Sequence, residues 1–136
     1  AGGIGFFTLG YADATAYLRD DPAACANCHV MQGHLDAWVK SSHGKVATCN
    51  DCHAPAGMID KYYCKARNGF LHSLAFTTGE FADNIRSTDY NHGVTEQACR
   101  NCHAQVSHGI RSPRAGPSPG EDLSCIHCHA TVGHDR

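Results

Sequence analysis

The chain has 136 residues, nine Cys, eleven His and a formal net charge of −2, which fits one small domain and excludes a nucleic-acid partner held by a basic patch. Leu, Ile, Val and Phe supply only 22 of the 136 residues, below the roughly 20% that a self-sufficient side-chain core needs, and so small a net charge argues against disorder. The interior must be completed by disulfides, a metal or a cofactor.

Residues 1–12, AGGIGFFTLGYA, carry no charged side chain. They are fewer than the about 20 residues that cross a bilayer. Four Gly among the first ten disfavour a soluble helix but are common in membrane spans. Residues 1–12 read either as the tail of a longer apolar helix or as a terminus left by signal cleavage, with a frayed end as the plain alternative. The flank carrying Asp13, Arg19, Asp20 and Asp21 is acidic, which places it outside the cytoplasm by the positive-inside rule. In residues 32–42, Leu35, Trp38 and Val39 recur at i, i+3 and i+4 and predict a helix. Residues 57–76 predict a second helix, interrupted or weakened at Gly69. Residues 111–122, RSPRAGPSPGED, hold three of the five Pro and read as an exposed loop. No stretch predicts a strand. The expected fold is mainly α with extensive loops, with residues 19–136 forming one domain.

Eight of the nine Cys fall into four copies of C-x-x-C-H: Cys25-Ala26-Asn27-Cys28-His29, Cys49-Asn50-Asp51-Cys52-His53, Cys99-Arg100-Asn101-Cys102-His103 and Cys125-Ile126-His127-Cys128-His129. This is the attachment pattern of c-type haem: two thiols form thioethers and the next His lies under the ring. Zinc ribbons also pair C-x-x-C, but do not need a His after every second Cys. A disulfide scaffold has no use for four such His. Four copies in so short a chain point to four c-type haems, wrapped by short helices and supplying the missing apolar bulk. The motifs start 24, 50 and 26 residues apart, as two pairs with a longer middle connection. Cys64 is left over and reads as a small buried hydrophobe or a free thiol.

His29, His53, His103 and His129 are the motif ligands. Seven further His, at 34, 43, 72, 92, 108, 127 and 134, remain to supply second ligands. A His follows the motif His by five residues at 29→34, 103→108 and 129→134. That offset does not repeat a helical face, so such a His is better placed to reach a neighbouring haem than its own. His92 and His127 read most simply as surface residues. His29 and Met31 lie on the same side of the first ring, so at most one binds there, and spacing alone favours packing for Met31.

CANCHVM, SSHGKVATCNDCHAP and KARNGFLHSLAFT resemble the NapC/NirT family of membrane-anchored quinol dehydrogenases, and within it the small tetrahaem subunits of cytochrome c nitrite reductase. The resemblance covers residues 11–82 and thereafter rests on motif spacing. It implies an N-terminal membrane anchor, with residues 1–18 as its outer end, and the haem domain on the periplasmic side. It also implies Met31, rather than His29, as the ligand of the first haem, and a menaquinol (quinol) site beside that haem with Lys65 and His72. His43 and His134 resemble distal ligands of interior haems, assigned to the third and second haems respectively. The fourth haem, on His129, would take its distal ligand from a Lys of the partner, unless His92 or His108 supplies it. The implied partner is a larger multihaem catalytic subunit of the nitrite reductase type.

Lys65 lies in the basic, aromatic run KYYCKAR, suited to the lipid headgroup region; without the resemblance it reads as a solvated or snorkelling side chain. The expected function is quinol oxidation with electrons passed to the partner. A soluble periplasmic tetrahaem carrier is the alternative, and a self-contained enzyme with an open haem is a third reading. The sequence preceding Ala1 discriminates the first two: about twenty apolar residues mark an anchor, a small-residue cleavage site a carrier.

Overall fold

The computed structural model describes residues 2–82, 85–107 and 124–134. The loop expected at 111–122 and the position of His108 lie outside them. Among the described residues there are only helices, turns and bends.

Helix α1 (Gly2–Tyr11) exposes its whole apolar surface, Phe6 by 82%. It stops before residue 18 because the chain turns at Asp13, in the left-handed region with φ 43°, a conformation that Asp tolerates better than most residues. Asp13 is held there by an ion pair with Arg19 and by the Thr15 hydroxyl, 3.2 Å away. A 3-10 turn, Ala14–Leu18, follows. Among the described residues no helix is long and apolar enough to cross a membrane.

Helix α2 (Pro22–Cys25) opens with Pro at its first position and with Asp21 as its N-cap, which accepts from the Ala23 N–H at 2.9 Å; both are favoured helix-start chemistry. A 3-10 turn, His29–Met31, leads into α3 (Gln32–Lys40). Beyond α3 the chain folds back so that Trp38 Nε1 donates to Ala47 O at 3.0 Å. Gly44 is required in that bend, since a Cβ there would lie 2.5 Å from Trp38 O. Helix α4 (Cys49–His53) is the second motif, opened by a Thr48–Asp51 capping box in which Asp51 Oδ2 accepts from Thr48 N–H at 2.7 Å.

Helix α5 (Met58–Thr78) runs 21 residues and closes on Gly79, left-handed at φ 72°, as helix C-termini commonly do. It passes through Gly69 without a break, against the sequence expectation. The glycine is used for close packing: a Cβ there would lie 3.3 Å from Tyr17 Cδ1. Helix α6 (Asp89–Cys102) ends in the third motif, α7 (Ala104–Ser107) follows it, and α8 (Cys125–Cys128) is the fourth motif.

Helix α4 packs on α6 and on α2, α6 packs on α8, and α5 packs on the Ala14–Leu18 turn. The buried apolar side chains among the described residues are only Ala16, Ala54 and Cys64. Three small residues are no core for a chain of this size, as the composition predicts. Large apolar side chains such as Ile59 and Phe70 lie 84% and 67% exposed in the protein alone.

Candidate haem and proton-transfer site

In the second, third and fourth motifs the C-x-x-C pair spans about one helical turn, so both thiols share a face and the His leaves from the end of that turn. In the first, α2 ends at Cys25 and a turn leads to the extended Cys28. None of the nine Cys is joined to another in a disulfide. The motifs meet in chain order. The Cys25 thiol interacts with that of Cys49, Cys52 lies near Cys102, and Cys99 lies near Cys52 and Cys125. Among the described residues, no three His, Cys, Asp or Glu converge as a zinc site would need.

The imidazoles give a sharper test of fit. A metal–imidazole bond is about 2 Å, so two rings facing each other across one iron have centroids roughly 6 Å apart. The His43 and His103 centroids are 6.1 Å apart, and those of His53 and His134 are 6.0 Å apart. Each pair joins a motif His to a His from outside its own motif. His34 packs edge-on to His134 at 4.7 Å, too close for an iron between the two rings. Met31 is partly buried at the end of the turn that starts at the exposed His29.

The fourth motif is fastened to the third by a residue that sequence reading missed. Glu96 on α6 accepts from Ser124 Oγ and from the N–H groups of Cys125 and Ile126, each at 3.0 Å. Burial would raise the Glu96 carboxyl, but the bonds from Ser124, Ile126 and Cys125 outweigh it and hold the group below its ordinary value. Glu96→Gln should lower stability by about 1–3 kcal/mol in thermal unfolding at neutral pH, the usual loss for charge-assisted bonds at a part-buried site. Because the folded-state value is depressed, this contribution is present above the ordinary Glu value and is lost as pH falls through the folded one. The Gln variant should lack that acid dependence; equal stability of the two proteins at pH 7 would refute the clasp.

The two residues implied at a quinol site, Lys65 and His72, stand seven apart on α5, two turns along one face. Both meet the segment that follows α1. Lys65 is neither solvated nor snorkelling. It is 4% exposed, and its Nζ donates to Leu18 O at 3.1 Å, Arg19 O at 2.8 Å and Asp20 Oδ1 at 2.8 Å. An ammonium has three protons, and all three are used. Burial is tolerated because the charge is paired and fully hydrogen-bonded. Lys61 reaches the other Asp20 oxygen at 2.6 Å, and Asn50 of the second motif donates to Asp20 at 2.9 Å. Hydrogen bonds from Lys61 and Lys65 hold the Asp20 carboxyl down at about 2.

His72 Nδ1 shares a hydrogen bond of 3.1 Å with the Tyr17 hydroxyl. Burial pushes the Tyr17 phenol up to about 12. His72 keeps an exposed edge, while the atoms crowding the rest of its ring lower its pKa. Tyr17 and Asp20 carry no sequence signal, since each acts through a contact more than 40 residues away in the chain. Cys64 is the small buried hydrophobe expected, 1% exposed, and its thiol donates to His53 O at 3.6 Å. A cleft of about 350 Å³ borders the first motif, lined by Asp13, Arg19, Asn27, Gln32 and Leu35 among others.

Comparison with known proteins agrees with this architecture. A family model described as the NapC/NirT cytochrome c family, N-terminal region, matches residues 2–136. The cytochrome c-type protein NrfH of Wolinella succinogenes is 33% identical over 98% of this chain and 80% of its own. The cytochrome c nitrite reductase subunit NrfH of Nitratidesulfovibrio vulgaris is 29% identical over 86% of this chain and 69% of its own. The tetraheme c-type cytochrome CymA of Shewanella oneidensis is 23% identical over 98% of this chain and 84% of its own. A chain in the crystal structure of a cytochrome c nitrite reductase NrfHA complex bound to the HQNO inhibitor superposes with a TM-score of 0.73. It is 27% identical over 99% of this chain and 88% of that one. Four C-x-x-C-H motifs, a helical frame without a side-chain core, and these likenesses make the cofactors four c-type haems. The chain is a multihaem c-type cytochrome of electron transport and belongs to the NapC/NirT cytochrome c family.

Proposed function

We propose that this protein oxidises menaquinol at the membrane surface and passes the electrons to a larger multihaem partner of the nitrite reductase type. The observation that carries the reading is the meeting of Lys65 and His72 with the segment 17–20, directly after the apolar α1 and beside the first motif. Likeness to the NrfH proteins and to the NrfHA complex supports the partner. On this reading residues 1–18 are the outer end of an N-terminal anchor, and residues 19–136 form the haem domain on the periplasmic side. The Cys pairs 25/28, 49/52, 99/102 and 125/128 tether the haems, and Met31 binds the first iron. His53 with His134 hold the second haem, His103 with His43 the third, and His129 the fourth.

When bound, the haems supply one-electron acceptors whose potentials follow their axial ligands. The chain's own residues do the rest. Lys65 fixes the backbone at Leu18 and Arg19, and so sets where the membrane-side segment lies against α5. His72, whose pKa is lowered by the atoms crowding its ring, is placed to take a proton from a quinol hydroxyl. His72→Ala should slow haem reduction by menaquinol about a hundredfold, the contribution of a positioned base. Lys65→Ala should slow it about tenfold by releasing the turn at Leu18 and Arg19 that sets the membrane-side segment against α5, with four haems still attached in both. Stopped-flow reduction of the full-length protein measures it; unchanged rates in both variants would remove the site.

A further inference from the structure

Resting on that reading of the quinol site, we infer that Tyr17 is the positioning residue for His72, accepting a hydrogen bond from His72 Nδ1–H so that Nε2 is the nitrogen presented to the quinol. Three observations converge on it. The hydroxyl lies 3.1 Å from Nδ1 and the rings meet edge to face, with centroids 6.2 Å apart at 78°. The Tyr17 ring is seated over Gly69, one turn before His72 on α5, where a Cβ would come within 3.3 Å of it. The turn that carries Tyr17 is itself locked to α5 by Lys65 through Leu18 and Arg19, the next two residues.

The consequence is tautomeric. Which imidazole nitrogen serves as base is set by the hydrogen bond that the other one makes. With Nδ1–H on the Tyr17 oxygen, Nε2 carries the free lone pair. One quinol O–H bond breaks with its electron pair left on oxygen, an N–H bond forms at Nε2, and that proton passes to solvent from the exposed edge of the ring before the second O–H bond breaks in the same way; bound ferric haems would take the two electrons, one each. The imidazolium so produced keeps its Nδ1–H on the Tyr17 oxygen, so the hydrogen bond is already in place when the positive charge appears. The phenol, held well above neutrality by burial, stays an uncharged acceptor throughout.

The test is a double-mutant cycle on the full-length protein in liposomes, with a reduced naphthoquinone as donor and haem reduction followed by stopped flow. Tyr17→Phe keeps the ring over Gly69 and removes only the oxygen. It should lower the limiting rate about tenfold while the half-saturating quinol concentration moves less than twofold and four haems remain. Because Tyr17 acts through His72, Tyr17→Phe/His72→Ala should be no slower than His72→Ala. A wild-type limiting rate in Tyr17→Phe overturns the inference, as do losses that multiply in the double variant. If His72→Ala itself runs at the wild-type rate, the quinol-site reading fails and the inference fails with it; a slow His72→Ala beside a normal Tyr17→Phe leaves that reading standing and sinks this one alone.

Discussion

His134→Ala should convert the second haem from six-coordinate low-spin to five-coordinate high-spin iron, and His43→Ala should do the same to the third. The ring pairs His53–His134 and His43–His103, with centroids 6.0 and 6.1 Å apart, have the separation that two imidazoles take across one iron. Removing one ring leaves an open face, with an expected loss of about one quarter of the haem content from the low-spin signal. Electron paramagnetic resonance of the oxidised protein reads this directly. The pairing has its own control. Changing both members of a pair, His43 with His103, should disturb one haem, whereas His43 with His134 should disturb two. If His43→Ala with His103→Ala disturbs two haems, the pairing is wrong. His34, 4.7 Å from His134, should leave the spin states unchanged when replaced by Ala.

Cys49→Ser/Cys52→Ser, which unties the second haem, should cost the protein its cooperative fold. Helix α4 packs on both α2 and α6, so the haem tethered there joins the first motif to the third. A small domain has only about 5–15 kcal/mol of net stability. The side chains buried without the haems are Ala16, Ala54, Cys64 and Lys65 among the described residues, far too little apolar area to replace a macrocycle. The expected outcome is a collapse of helical circular dichroism and rapid proteolysis. Cys125→Ser/Cys128→Ser at the end of the chain should be milder, because α8 is held to α6 by the Glu96 bonds as well. A second-motif variant that melted at the wild-type temperature would refute the claim that haem forms the interior.

Helix boundaries were partly legible in the sequence. Local chemistry sets them where the cap is local: Asp21 and Pro22 start α2, and Thr48 with Asp51 start α4. The helix at 32–42 is found at Gln32–Lys40. At Gly69 the same local logic gave the wrong answer. The intrinsic cost of Gly in a helix, about 1 kcal/mol, is outweighed by the packing of Tyr17 on that face, which no pattern in the sequence announces. Lys65 is the parallel case at the site. Its position in KYYCKAR gave it an interfacial reading, while its burial depends on acceptors 45 to 47 residues earlier.

The sequence by itself determined the cofactor class and its number, because thioether attachment demands two thiols and a His at fixed local spacing, repeated here four times. It determined also that the interior could not be made of side chains. Only the tertiary structure decided which His faces which, that Lys65 is a buried clasp and not a free cation, and that Tyr17 rather than solvent meets His72. The division has one physical cause. Covalent attachment and capping are settled within a few residues, whereas a pair of neighbouring imidazoles or a buried charge is completed by a partner that the fold alone brings near.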